Sequence, residues 1–490
     1  MPCFATVGPL RAHGARRGGR RGENIIVSGD DPALDVLMEL LGSAVYAPRE
    51  RYRRGKSIRT VAAGDEDAVT LGVEAARRVL ASTGSQQPGA IVFATSSPPV
   101  LGLSLARLVS AALDLPPETA VMDVSGAARS GSAALLAASH MDVPLVLVVF
   151  ADLGRAAPNT SVDLSLADVA AAMLVAPGSD GPMATFDRHA LVGTGLADSW
   201  WTSDDEERIN FADLRLAEAT LAPACQAVLA TLEIEPGTGV PIIISARPAL
   251  GDRIARNLRA MGFSGASCEA QPVGYGGVAQ VAIDMVNATD ATDAGGSLVV
   301  LQCSDVCDGW LISTGVDATG TRRAPKSDEV VHAVVEPKLL DLETYLRRRG
   351  AIVADGPLRP PTAPVSDAAV ARQARWKYAM VGVRCSACET RLLPPGPICT
   401  SCGGVDLVDD RVAEVEGTVA HSTIDGLAVR PGDRQVVIID LDGGGRLRAT
   451  AVEADGLLEP GRRVRFVLRR SDDGGLPNYL WKASVVEVTQ

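Results

Sequence analysis

Aromatic side chains are scarce in this sequence: 7 Phe, 6 Tyr and 5 Trp make up 4% of 490 residues, although hydrophobic residues as a class reach 47%. Cores of that composition are built from Ala, Val and Leu, which suits tightly packed α/β layers. Histidine is rarer still. The five are His13, His140, His189, His332 and His421, and a lone imidazole is more often a surface or satisfied core group than a catalyst. Long apolar runs are missing; the longest, near Pro144–Ala151, falls far short of the ~20 residues that cross a bilayer. Positive charge is also in deficit. With 47 Lys and Arg against 59 Asp and Glu, the formal charge is −12, which argues against a domain-wide surface for nucleic-acid phosphates.

Cysteine is present and patterned. Cys385-Ser-Ala-Cys388 and Cys399-Thr-Ser-Cys402 are two C-x-x-C knuckles separated by ten residues, a spacing that presents four thiolates tetrahedrally to one zinc at about 2.3 Å. Pro394, Pro395 and Pro397 stiffen the loop between them, and Gly403-Gly404 permits the second knuckle's turn. Four protein thiolates close the coordination sphere, so the expected zinc is structural. The other five cysteines, Cys3, Cys225, Cys268, Cys303 and Cys307, show no pairing scheme. With no recognisable signal peptide, the expected setting is reducing and cytoplasmic. Cys303 and Cys307 read as a buried neutral thiol pair, with a displaced nucleophile or a redox pair as alternatives.

Length alone suggests two to four domains. Residues 1–22 form a basic arm with little apolar periodicity, expected to be disordered. The α/β pattern then begins: a strand over Ile25–Val27, a short helix over Asp31–Leu41, and a helix over Asp65–Ser82 opened by an acidic Asp-Glu-Asp run. Strands at Ala90–Thr95, Ala120–Val124 and Leu145–Phe150 alternate with helices at Leu101–Leu113 and Gly131–Ser139, which implies βαβ units and a mainly parallel sheet. A second cycle of similar order runs from Leu216 to Ser313, suggesting a duplicated core split into 23–185 and 186–325. Residues 326–375, with Pro360-Pro-Thr-Ala-Pro364, read as a linker and wrapping segment, 376–410 as the zinc ribbon, and 411–490 as short strands forming a small barrel of OB-fold type.

Three stretches carry a resemblance. Lys56–Leu71, which contains Asp65-Glu-Asp-Ala-Val-Thr70, is similar to the early helix of 3-hydroxy-3-methylglutaryl-CoA synthase relatives in the thiolase superfamily. Asp123-Val-Ser-Gly-Ala-Ala-Arg-Ser-Gly-Ser-Ala-Ala-Leu135 resembles that superfamily's nucleophile turn. The ribbon and barrel, with Asn478-Tyr-Leu-Trp-Lys-Ala483 near the end, resemble the acyl-CoA-associated zinc-ribbon and OB-fold module. The resemblance implies a thiolase-like duplicated αβαβα core followed by a rubredoxin-like ribbon and an OB-fold barrel. It covers about residues 24–325 and 376–490.

Position by position, the family's chemistry is missing. Its nucleophilic Cys falls at Ala128, its Glu at Ser96, and its His at Ala246 or Arg247, while Tyr275 takes the position of its late Asn. A methyl group cannot be acylated. The resemblance therefore implies a catalytically degenerate, non-catalytic or regulatory subunit of a complex that forms or cleaves C–C bonds. Its expected partners are a second copy or an active thiolase-like subunit, with a coenzyme A thioester as candidate ligand. An alternative is a Cys-independent acyl-CoA lyase or synthase using Tyr275 as acid or base, set against Tyr275 as simple core repair. Arg247 is a candidate for the CoA pyrophosphate or, equally, an ion pair. A third reading is nucleic-acid binding through Arg462, Arg463, Arg465, Arg469 and Arg470.

Overall fold

The computed structural model describes residues 34–84, 86–178, 182–195, 197–200, 210–269, 274–315, 337–352, 366–425, 435–471 and 478–486. The expected arm over 1–22, the Ile25–Val27 strand and the Pro360–Pro364 run lie outside the described residues.

The first half runs β1 (Leu34–Tyr46), a hairpin of β2 (Glu50–Arg54) and β3 (Ser57–Thr60), α1 (Ala68–Ser82), β4 (Ala90–Thr95), α2 (Leu105–Ala112), β5 (Ala120–Ser125), α3 (Ser130–Ser139), β6 (Val146–Asp152) and β7 (Val169–Ala176). The second half begins with β8 (Ala184–Gly193). After the short β9 (Ser199–Trp200) and β10 (Asn210–Phe211) come α4 (Leu214–Thr231), β11 (Ile242–Ser245), α5 (Pro248–Ala260), β12 (Ala266–Ser267), α6 (Gln280–Ala291), β13 (Ser297–Cys303) and β14 (Val306–Thr314). These halves share one ten-stranded sheet in the order β12-β11-β13-β14-β8-β1-β7-β6-β4-β5. Reading inward from either end gives the same sequence of parallel and antiparallel neighbours, so the duplication without a residue-level repeat is explicit in the topology.

Of the helix expected over Asp31–Leu41, the described residues 34–41 are instead part of β1, and the first three lie outside the described residues. Its leucines have helix-like spacing, but the segment lies mid-sheet between β7 and β8, where both backbone edges are paired. Those ladders outweigh a weak local preference. The helix expected over Asp65–Ser82 starts later, at Ala68. Asp67 is its N-cap, accepting from Val69 N and Thr70 N at 3.0 Å while Thr70 Oγ1 accepts from Asp67 N at 2.8 Å. Gly72 lets α1 settle on the sheet, since a Cβ there would lie 2.8 Å from Phe93 and 2.9 Å from Val149.

The segment following the body carries β15 (Lys338–Leu339), which pairs with β2, and α7 (Leu342–Arg348). Tyr345 of α7 stacks on Tyr52 with ring centroids 3.8 Å apart and donates to Asp163, which also holds the buried Arg59. α8 (Asp367–Arg372) and α9 (Ala374–Ala379) lead to a three-stranded ribbon of β16 (Val381–Cys385), β17 (Arg391–Leu392) and β18 (Leu407–Arg411). The last five strands, β19 (Gly417–Ile424), β20 (Gln435–Leu441), β21 (Arg446–Val452), β22 (Arg463–Ser471) and β23 (Asn478–Val485), close into a barrel in the order β19-β20-β21-β23-β22. Among the described residues no helix is long and apolar enough to cross a membrane.

The barrel sits on the N-terminal end of α1 through charge. Arg469 of β22, fully buried, reaches Glu453 at 2.7 Å and Glu66 at 3.0 Å. Lys482 meets Asp65 at 2.7 Å, Tyr479 donates to Asp67 at 2.9 Å, and Arg465 meets Glu74 at 3.0 Å. Arg77 of α1 pairs with Glu414 at 2.6 Å and lies over the Trp481 ring. Arg463 is taken by Glu416 and Asp442. Most of the basic cluster weighed as a nucleic-acid face is therefore turned onto the chain's own carboxylates, which is why the arginines group there.

One buried guanidinium cannot neutralise both Glu66 and Glu453. Burial pushes the Glu66 carboxyl up to about 7, with Arg469 opposing and Glu453 adding to the rise. Because the folded-state value lies above the ordinary 4.5, this group's stabilising contribution is complete below about pH 4.5 and is lost as pH rises through about 7. The expected loss is on the order of 3 kcal/mol, since each tenfold change in proton affinity is worth about 1.4 kcal/mol. Glu66→Gln fixes the neutral form. Denaturant titrations at pH 5 and pH 8 should show native stability falling with pH relative to the variant; parallel pH profiles would refute the assignment.

Candidate functional site

The end of β5, the following turn and the N-terminus of α3 form one wall of a cavity of about 230 Å³, lined by Gly126, Ala127 and Ala128. Gly126 takes φ +141°, and a Cβ at Gly131 would lie 2.4 Å from the Val278 carbonyl oxygen, so this turn requires glycine at both points. Gln302 of β13 holds the turn from behind. Its Nε2 donates to the Ala128 carbonyl at 2.6 Å, and its Oε1 accepts from Ser132 N at 3.1 Å. Arg129 is fixed by Asp308 of β14 at 3.0 Å, and the other oxygen of Asp308 meets His189 Nε2 at 3.1 Å. His189 is thus a core residue behind the turn.

Asp152, at the C-terminal end of β6, forms the cavity's polar floor. Ser96 donates to it through both N and Oγ, at 2.8 and 2.7 Å, Ser97 Oγ at 2.9 Å, and Val278 N at 2.9 Å. A Cβ at Gly277 would lie 2.3 Å from Asp152 Oδ2, so the backbone approaches this closely only as glycine. Burial raises the Asp152 carboxyl above the usual range, and its hydrogen bonds oppose that rise. A carboxylate with this many donors is well built to hold loops in register.

Tyr275 lines the same cavity. Its backbone is clamped, donating to the Ser165 carbonyl at 2.8 Å and accepting from Ala167 N at 2.9 Å. Burial, then the carboxylates of Asp198 and Asp152, push its phenol well above the ordinary tyrosine range, so it stays protonated and able to donate. The opposite rim is Asp198, Trp200 and Phe211. Arg247, at the N-cap of α5, grips Asp198 at 2.8 Å, donates to the Ala212 carbonyl at 2.9 Å and stacks over Phe211. Of its two sequence readings, the ion pair is the one formed.

The structure therefore gathers Ser96, Ala128 and Tyr275 around one cavity and puts Arg247 just behind its wall. Among the described lining residues there is no Cys and no His. Sequence reasoning missed Asp152 and Asp198. The signal for Asp152 was there, as a carboxylate closing an otherwise apolar buried strand; Asp198 sits in an irregular connection with no pattern to mark it.

In the ribbon, the four sulfurs of Cys385, Cys388, Cys399 and Cys402 all lie within 4.8 Å of one another. Cys385 and Cys402 are 3.6 Å apart, Cys388 and Cys399 3.5 Å, and Ser401 N points at the Cys399 sulfur. Tetrahedral zinc with Zn–S of about 2.3 Å separates its sulfurs by about 3.8 Å, so the donor set fits that ion.

No protein-family model matches the chain. Over 143 residues it is 33% identical to a hydroxymethylglutaryl-CoA synthase of Aeropyrum pernix, covering 28% of this chain and 39% of that protein. Over 188 residues it is 28% identical to the Pyrococcus furiosus hydroxymethylglutaryl-CoA synthase, covering 34% and 53%. The solved structure of MvaS in complex with 3-hydroxy-3-methylglutaryl coenzyme A superposes with a TM-score of 0.53 at 17% identity, over 65% of this chain and 94% of that one. The body is thiolase-like in fold and hydroxymethylglutaryl-CoA-synthase-like in sequence. The chain spans about two fifths to one half of the length of these curated relatives.

Proposed function

We propose that this thiolase-like protein is acyl-CoA-associated, forms no acyl-enzyme, and serves as a non-catalytic or regulatory subunit of an assembly that makes or breaks C–C bonds beside a CoA thioester. The observation that carries this reading is the cavity lined by Ala128 and Ser96, the positions that the resemblance aligns with the family's Cys and Glu, in which no described lining residue is a thiol or imidazole. The sequence similarity to hydroxymethylglutaryl-CoA synthases supports the ligand class. A thiolase-like partner, either a second copy or a Cys-bearing relative, has a surface to meet. β5 is the sheet's outer strand, and its Val121 and Met122 are exposed. The barrel is read as the OB-fold half of the accessory module, with its ribbon braced by one structural zinc on Cys385, Cys388, Cys399 and Cys402.

A second reading is favoured by one observation, the presence of Tyr275 and Asp152 in that cavity. A protonated phenol can stabilise a thioester enolate during retro-aldol cleavage without any covalent intermediate. Asp152 is saturated with donors, so this reading needs a base from the substrate, from water or from a partner.

Three measurements separate these possibilities. Native mass spectrometry of the complex purified from its host should show a Cys-bearing thiolase-like subunit, and the isolated chain incubated with acetyl-CoA should gain no acyl mass; a covalent adduct would overturn the first reading. Steady-state assays of the isolated chain with β-hydroxyacyl-CoA should show no turnover. Turnover that drops about 100-fold or more in Tyr275→Phe, in the range of general acid–base effects, would establish the second reading. Elemental analysis should find one zinc per chain, and Cys399→Ser should lose it together with the ribbon's thermal transition.

A further inference from the structure

Three cysteines outside the ribbon converge in the core of the second half. Cys303 and Cys307 are directly opposed across the β13–β14 ladder, which puts both side chains on one face of the sheet. α4 covers that face and brings Cys225 to them, 3.4 Å from each sulfur. All three sulfurs lie within 4.8 Å of one another, and each residue is at most 1% exposed. Sequence spacing could not reveal this group, because Cys225 is separated from the hairpin by most of the second half.

The surroundings decide what such a group can hold. Its neighbours in the core include Val228, Leu229, Ile244 and Leu301, and among the described residues no charged side chain lies within hydrogen-bonding range of the sulfurs. Thiolates are soft donors and select thiophilic ions. Three thiolates around a monovalent or divalent ion leave net negative charge in a dry apolar core with no cation to offset it, which is strongly unfavourable. A trivalent centre leaves none. We propose that Cys225, Cys303 and Cys307 form a second thiophilic site that takes a trivalent metalloid of the arsenite class as a neutral tris-thiolate. The exchange is balanced without redox change: As(OH)₃ and three Cys–SH give As(S–Cys)₃ and three waters, with three As–O and three S–H bonds broken and three As–S and three O–H bonds formed.

Occupancy has a structural consequence for the cavity. Gln302 and Asp308 flank the two hairpin cysteines, and by strand alternation they face the other side of the sheet, where they hold the Ala128 carbonyl and Arg129. A three-point bond from α4 to this hairpin fixes the frame behind the turn.

The test uses full-length, zinc-loaded protein incubated with arsenite and desalted. One arsenic per chain is expected, with zinc content unchanged, an arsenic X-ray absorption spectrum showing three sulfur neighbours and no oxygen, and a raised thermal midpoint because binding favours the folded state. Cys225→Ala, checked for fold and zinc content, should retain at least tenfold less arsenic; Cys307→Ala serves if that variant does not fold. The proposal is overturned if no arsenic is retained, if zinc leaves as arsenic enters, if the spectrum shows fewer than three sulfurs, or if a folded variant matches the native protein. The wild-type spectrum and zinc count decide the matter even without a variant.

Discussion

Three consecutive carboxylates, Asp65, Glu66 and Asp67, tie together the parts of this protein that sequence separates most widely. Asp67 caps α1 from within its own segment and accepts a hydrogen bond from Tyr479 of the barrel. Glu66 binds the buried Arg469, and Asp65 binds Lys482. A single turn before α1 is thus both the start of a core helix and the seat of a domain more than 400 residues downstream. α1 in turn lies on β4 and β6 through Gly72, against Phe93 and Val149. β6 ends in Asp152 and β4 runs directly into Ser96, so the barrel's charges and the cavity floor are joined by one helix and two strands.

The polar groups around the cavity are largely committed to one another. Ala128 offers it only a methyl group, and Gln302 holds the Ala128 carbonyl from behind. Ser96 commits its hydroxyl to Asp152 and is thereby made part of the scaffold. Arg247 and Asp198 neutralise each other at the wall. What remains is a small, largely self-satisfied pocket whose chief available polar group is the phenol of Tyr275.

Much of this was legible beforehand because it depends on short-range order. Paired knuckles, alternating apolar strands and helices, and period-two strands after residue 411 are local patterns, and the four thiols, the α/β core and four of the five barrel strands follow from them. Where long-range pairing decides, sequence reasoning failed. Leu34–Leu41 looks helical, yet it becomes β1 because two neighbours complete its ladders. β7 is hard to see in the sequence because an Ala-rich segment in mid-sheet lacks polar alternation, being covered on both faces. The acidic run before α1 has the pattern of a helix-dipole effect, whereas all three of its carboxylates meet the barrel. Arginines grouped near the C-terminus suggested an open basic face for the same reason: a charge's partner is invisible until the fold brings it across.

A buried arginine at the domain junction calls for a physical reason, because ion pairs are poor glue. Withdrawing Arg469 from water costs much of what its carboxylate partners return, and an apolar contact of similar volume would hold as well or better. Covalent continuity already raises the effective concentration of barrel beside body to the millimolar range, so little intrinsic affinity is required. What tethering cannot supply is orientation. Three contacts across the junction fix it: Arg469 reaches Glu66, Lys482 finds Asp65 and Tyr479 finds Asp67. Another rotation of the barrel would break all three at once, while Arg469 would keep Glu453 of its own barrel. The junction is therefore better understood as setting the register of the barrel on α1, with the apolar contacts around it supplying adhesion.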